Sequence, residues 1–105
     1  PVFDRIQDKA LPDAARIDPK TQIIIAEGNY LLLPHGDWAG LGPVLDIRVM
    51  LRPSLQTLET RLTKRWLSLG LDPQHARDKV SGNDLPNARL VLQDSMPADL
   101  VLQEA

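Results

Sequence analysis

The sequence predicts an α/β fold, a parallel sheet with flanking helices, and three observations carry that expectation. Residues 23–26, "IIIA", form an unbroken apolar run where a strand with one wet face would alternate, so the run reads as a strand covered on both faces. "VLDIRVML" (44–51) and "ADLVLQ" (98–103) read as two further strands. The connections between the three are longer than the dozen or so residues that parallel pairing requires.

In chain order, "LPDAARIDPKT" precedes the first strand and reads as a loop, and the strand itself spans residues 22–27, ending on Glu27 and Gly28. Pro34, Gly36, Gly40 and Gly42 then interrupt the chain, leaving room for one short helical turn around Trp38. After the second strand, Pro53 suits a first helical turn. Leu55, Leu58, Leu62, Trp66 and Leu69 follow at spacings of three and four, one apolar stripe on a helix ending at Gly70. Asp72 and Pro73 read as the cap and first turn of a short helix through about Val80, broken by "SGND". Asn83 or Asp84 would cap a third helix with Pro86 in its first turn and Leu85, Ala88, Val91 and Leu92 facing inward.

Composition narrows the function classes. The chain has 105 residues, 43% hydrophobic and 25% charged, which fits one globular domain or a piece of one. A net charge of -2 with scattered Lys and Arg gives no electrostatic footprint for nucleic acid. Cysteine is absent, so disulfides and thiolate metal sites are excluded. No apolar stretch approaches the roughly 18 residues of a membrane span, and no signal segment opens the chain. The expectation is a soluble, cytoplasmic protein without nucleic-acid or membrane partners. "PVFDRIQ" reads as the middle of an element, so a fragment is expected; a sheet cut in this way keeps an open edge and would self-associate into a homo-oligomer.

Three groups of residues could carry chemistry. Glu27 stands at the carboxyl end of a strand, the edge where open parallel sheets bind ligands. A carboxylate there suits magnesium, which takes oxygen ligands and keeps several waters; the alternative is a loop cap or a surface pairing. Arg61, Lys64 and Arg65 share one flank of the long helix and could neutralise a phosphoryl group in transit, or form an ordinary solvated face. Asn83, Asp84 and Asn87 crowd a helix start that could bind the anionic part of a nucleotide or simply cap the helix. His35 and His75 lack ligand-spaced partners for zinc. No GxSxG elbow is present, and "GLG" (40–42) lacks the rest of a dinucleotide fingerprint.

Taken in order, "PVFDR", "IIIAEGNYLLL", "LDIRVML", "RLTKRW", "NDLPNA" and "ADLVL" resemble the C-terminal half of P-loop kinases of the uridine kinase, pantothenate kinase and phosphoribulokinase superfamily. The resemblance is strongest to the nucleoside kinase and fructokinase-like branch that carries EGNYLLL, and it covers nearly the whole chain. It implies a P-loop kinase fold lacking its N-terminal half, with residues 1–105 as the C-terminal part of one domain and a lid-like helical region at about 53–82. It further implies ATP and Mg2+ as cofactors and transfer of the γ-phosphoryl group to a hydroxyl of a sugar, nucleoside or related metabolite. Glu27 is similar to the acidic residue beside magnesium and substrate, and Phe3, Asp4 and Arg5 fall in the substrate-contacting segment. Arg61 and Arg65 match lid arginines that approach the ATP phosphates.

The sequence departs from the family at three points. Uridine kinases tend to have Tyr at the position of Phe3, and "WLSLG" follows Arg65 where they carry further basic residues. No GxxxxGK[ST] occurs, so the phosphate loop and the catalytic aspartate near it would be supplied by a partner N-terminal half. Two rival readings are a non-catalytic α/β binding or assembly module and a nucleotide hydrolase.

Overall fold

Among the described residues, two small sheets and three α-helices make up the regular structure. The computed structural model describes residues 2–4 and 6–104, with Val2 and Phe3 described by backbone alone. The first sheet is a hairpin of β1 (Val2–Asp4) and β2 (Lys9–Leu11), antiparallel, with Phe3 opposite Ala10. Its turn is closed by Asp4, whose Oδ1 accepts the amide N–H groups of Ile6 (2.8 Å) and Gln7 (3.1 Å). Asp8 takes the left-handed conformation (φ 53) that Asp tolerates better than most residues.

The second sheet supplies the expected parallel pairing. β3 (Val49–Arg52) and β4 (Leu100–Gln103) run side by side with Val49 opposite Leu100 and Arg52 opposite Gln103. Between them lie α1 (Leu55–Ser68), α2 (Pro73–Lys79) and α3 (Leu85–Asp94), the flanking helices that a parallel crossover needs.

Local chemistry sets the helix boundaries. Ser54 caps α1 by accepting the Thr57 N–H at 3.1 Å, so Pro53 sits before the cap and not in the first turn. Gly70 ends the helix with φ 98, and its N–H bonds Leu67 O while Leu71 N–H bonds Trp66 O, a Schellman closure. Asp72 caps α2 and Pro73 occupies its first turn.

Beyond α2 the structure departs from the expected break. Val80–Asp84 form a π-helical turn, so "SGND" carries the helix on into α3. Asp84 has helical dihedrals and makes no cap bond, which corrects the expectation that Asn83 or Asp84 caps α3.

The largest departure is at residues 22–27, which form no strand. Ile23 and Ile25 are 80% and 90% exposed, the opposite of a strand covered on both faces. A strand exists through its hydrogen-bonded neighbours, and among the described residues β3 and β4 pair only with each other. The second strand is also shorter than expected, because residues 42–44 turn as a 3-10 helix before it. Gly36–Gly40 make the short turn around Trp38.

The buried apolar residues fall into two groups. Ala76, Val80 and Leu85 lie along the helical run from α2 into α3, while Leu32 and Leu33 of the loop after Glu27 and Met50 of β3 make up the second group. Met96 N–H donates to Leu32 O at 2.8 Å and ties that loop to the chain leaving α3. Arg52 at the end of β3 donates to Leu92 O (2.6 Å), one of the four carbonyls that the last turn of α3 leaves without an intrahelical partner.

Candidate active site

A cavity of about 730 Å³ opens between the Glu27–Leu32 loop, β3, α1 and α3, within the size range of small-ligand sites. Its wall includes Glu27, Arg61, Arg65, Asn83, Asp84 and Asn87, residues from three stretches of sequence that the fold brings together. Arg61 and Arg65, one helical turn apart, project from the same face of α1 as the cavity-lining Leu58 and Leu62. Lys64 lies off this wall.

The polar groups divide by what already engages them. Trp66 donates its indole N–H to Asp84 Oδ2 at 2.6 Å, and Asp84 Oδ1 accepts Asn83 Nδ2 at 3.2 Å. Asn83 Oδ1 in turn accepts Asn87 Nδ2 at 3.3 Å. An indole can only donate and a carboxylate only accept, so this anchor fixes the sense of both amides in the relay. Lys79 adds a cation over the Trp66 ring, 4.7 Å from its centroid. Asp84 therefore couples α1 to α3, the role that displaces it from helix capping.

Arg61 Nη2 forms an ion pair with Glu104 Oε2 at 2.7 Å. Among the described residues Glu27 and Arg65 carry no side-chain hydrogen bond or ion pair, and both face the cavity. Among the described residues no cluster of three or more His, Cys, Asp or Glu side chains could hold a metal ion, and Glu27, an oxygen donor facing the cavity, could contribute to a magnesium site only together with water and phosphate oxygens.

The remaining candidates lie elsewhere. Asp4 does not line the cavity; its Oδ1 closes the hairpin turn and its Oδ2 accepts Gln7 Nε2 at 3.0 Å. The side chain of Phe3 and the whole of Arg5 lie outside the described residues. His35 meets Asp94 at 3.3 Å and His75 meets Asp72 at 2.6 Å, both at the surface. The neighbouring carboxylate holds His75 above the ordinary histidine value, while the His75 amide and ring hold Asp72 below the usual carboxylate range.

Glu104, Tyr30 and Arg48 are among the cavity residues that the sequence does not single out. Glu104 follows β4 as Glu27 follows an apolar run, so the strand-end rule could have found it. Tyr30, within the EGNYLLL stretch, lines the wall and packs on Trp38 at 5.7 Å between ring centroids. Arg48 reaches Gly42 O through Nη2 at 2.9 Å, and its Nε is buried without a partner.

The fold, an α/β unit with a parallel strand pair and flanking helices, has counterparts among kinase-named proteins. The crystal structure named "putative fructose transport system kinase", from Silicibacter sp. TM1040, superposes with a TM-score of 0.88 at 40% identity, over 96% of this chain and 49% of that one. The protein named "Putative uridine kinase C227.14" from Schizosaccharomyces pombe is 31% identical across 99% of this chain and 45% of its own length. "ATP-dependent kinase YFH7" of Zygosaccharomyces rouxii is 30% identical across 97% of this chain and 29% of its own length. No family model matches the chain. The chain thus aligns almost end to end with kinase-named proteins, spans less than half the length of these curated relatives, and has the fold of about half of the solved one.

Proposed function

We propose that this chain is the C-terminal part of one P-loop kinase domain, in an enzyme that transfers the γ-phosphoryl group of MgATP to a hydroxyl of a sugar, nucleoside or related metabolite. The observation that carries the reading is the cavity wall, where Glu27, a carboxylate without a partner among the described residues, faces the same space as the two cations Arg61 and Arg65. Phosphoryl transfer asks a protein chiefly for positioning and charge neutralisation, and those groups supply both.

In this reading Glu27 holds magnesium directly or through water, and the ion when bound neutralises phosphate charge and orients the transferred group. Arg65 and Arg61 take the phosphate oxygens, and the relay from Trp66 to Asn87 fixes the nucleotide side of the wall. Residues 53–82 act as the lid-like region. The phosphate loop belongs to a preceding segment of the same protein, a cytoplasmic enzyme, whose strands would pair with the exposed 22–27 segment. In the same reading Phe3, Asp4 and Arg5 would contact the acceptor, and Asp4 would have to leave its turn hydrogen bonds to do so.

The test is ADP release by the purified full-length protein supplied with MgATP and a panel of free sugars and nucleosides. Release that depends on one acceptor class supports the kinase and identifies its substrate. Release indifferent to every acceptor makes the protein a nucleotide hydrolase. Neither release nor ATP binding makes the chain a non-catalytic binding or assembly module.

A further inference from the structure

Among the described residues three carboxylates face the cavity, and each stands in a different state. Asp84 is committed to Trp66 and Asn83, Glu27 has no described partner, and Glu104 is paired with Arg61 at 2.7 Å. Glu104 is set there by the sheet: its backbone N–H donates to Arg52 O at 3.3 Å, continuing the β3–β4 ladder one residue past β4. Its side chain then crosses to α1. Arg65, four residues beyond Arg61 on the same helix face, has no such carboxylate among the described residues. The two arginines are therefore unequal: an anion can reach Arg65 directly, but on Arg61 it meets a carboxylate already in place.

We propose that Glu104 is a positioning residue for the phosphate-binding arginine, holding the Arg61 guanidinium over the cavity and yielding it when a phosphoryl group takes that Nη2. This rests on the reading of Arg61 as a phosphate ligand. The exchange is chemically balanced, since one charge-assisted hydrogen bond to a carboxylate oxygen is traded for one to a phosphate oxygen and no proton moves. The pair is half exposed, with side-chain exposures of 61% for Arg61 and 38% for Glu104, so the competition it offers is modest. Glu104 thus tunes nucleotide affinity and does not block the site.

The experiment is the Kd of MgATP for the full-length protein by titration calorimetry, in the wild type, Glu104→Gln, Arg61→Ala and the double variant. Gln keeps the shape of Glu104 and drops its charge, so Glu104→Gln is expected to tighten MgATP about two- to five-fold. In the Arg61→Ala background the same change should have no effect, because it acts through Arg61. A purely structural role for Glu104 would weaken binding in both backgrounds, and a general charge effect would tighten it equally in both; either result overturns the proposal, as does an unchanged Kd for Glu104→Gln. A wild type that binds no MgATP removes the kinase reading along with it, whereas a wild type that binds MgATP with any of the other results removes only the role of Glu104.

Discussion

Trp66 and Asp84 are joined across 2.6 Å by an indole N–H to carboxylate bond that links the arginine-bearing helix to the π turn before α3. Both residues are half-buried, so the bond is shielded in part from water. Trp66→Phe keeps most of the ring and removes the donor, leaving one Asp84 oxygen without its partner. Stability is expected to fall by about 1–2 kcal/mol. Urea unfolding followed by circular dichroism reads the loss, and a change below a few tenths would show that water replaces the indole at no cost.

Glu27 should separate activity from stability. In the full-length protein Glu27→Gln is expected to lower turnover about 100-fold or more, the scale of removing a group that stabilises developing charge. Measured on residues 1–105, the melting temperature should stay nearly constant, because among the described residues Glu27 is exposed and without a partner, and such a side chain contributes within about 0.5 kcal/mol. Unchanged turnover would take Glu27 out of the mechanism.

The Asp72–His75 pair gives α2 a two-sided pH dependence. Asp72 is depressed, so its contribution is present above the ordinary carboxylate value and is lost as pH falls through its lower folded value. His75 is raised, so its contribution is full below the ordinary histidine value and is lost as pH climbs through the higher folded value. The cap is firmest between those limits. An NMR titration should find His75 above an unperturbed histidine, and Asp72→Asn should return it toward the ordinary value.

Ala76 is fully buried on α2, which packs against α1. Ala76→Leu adds three carbons where there is no free surface and is expected to cost about 1–3 kcal/mol. An unaltered denaturation midpoint would mean that the two helices part easily.

The helices were legible because their signals are local. Asp72 beside Pro73, Gly70 after Leu69 and the leucine spacing of α1 each act within a turn or two, and the boundaries fall within a residue or so of those marks. What failed depended on distant partners. Residues 22–27 have strand composition, yet being a strand also requires a neighbour, and none pairs with them here. "SGND" has the composition of a break, but Trp66 captures the Asp84 carboxylate that would have made a cap. On the cavity, Glu27, Arg61, Arg65, Asn83, Asp84 and Asn87 were each picked out singly from position or spacing, and their meeting on one wall was not deducible from any one stretch. Glu104 was overlooked although it obeys the same strand-end logic as Glu27.

The register of β3 on β4 also bears on how the molecule is assembled. Val49 pairs with Leu100, so about half the chain must be drawn into a loop before the first parallel hydrogen bond forms. Such a non-local contact is slow to make, while the three helices between can form early from neighbouring residues. The Arg61–Glu104 contact spans a closure of similar length. If that contact forms after the rate-limiting closure, a ligand bridging α1 and the end of β4 acts mainly by slowing unfolding, with the folding rate nearly untouched.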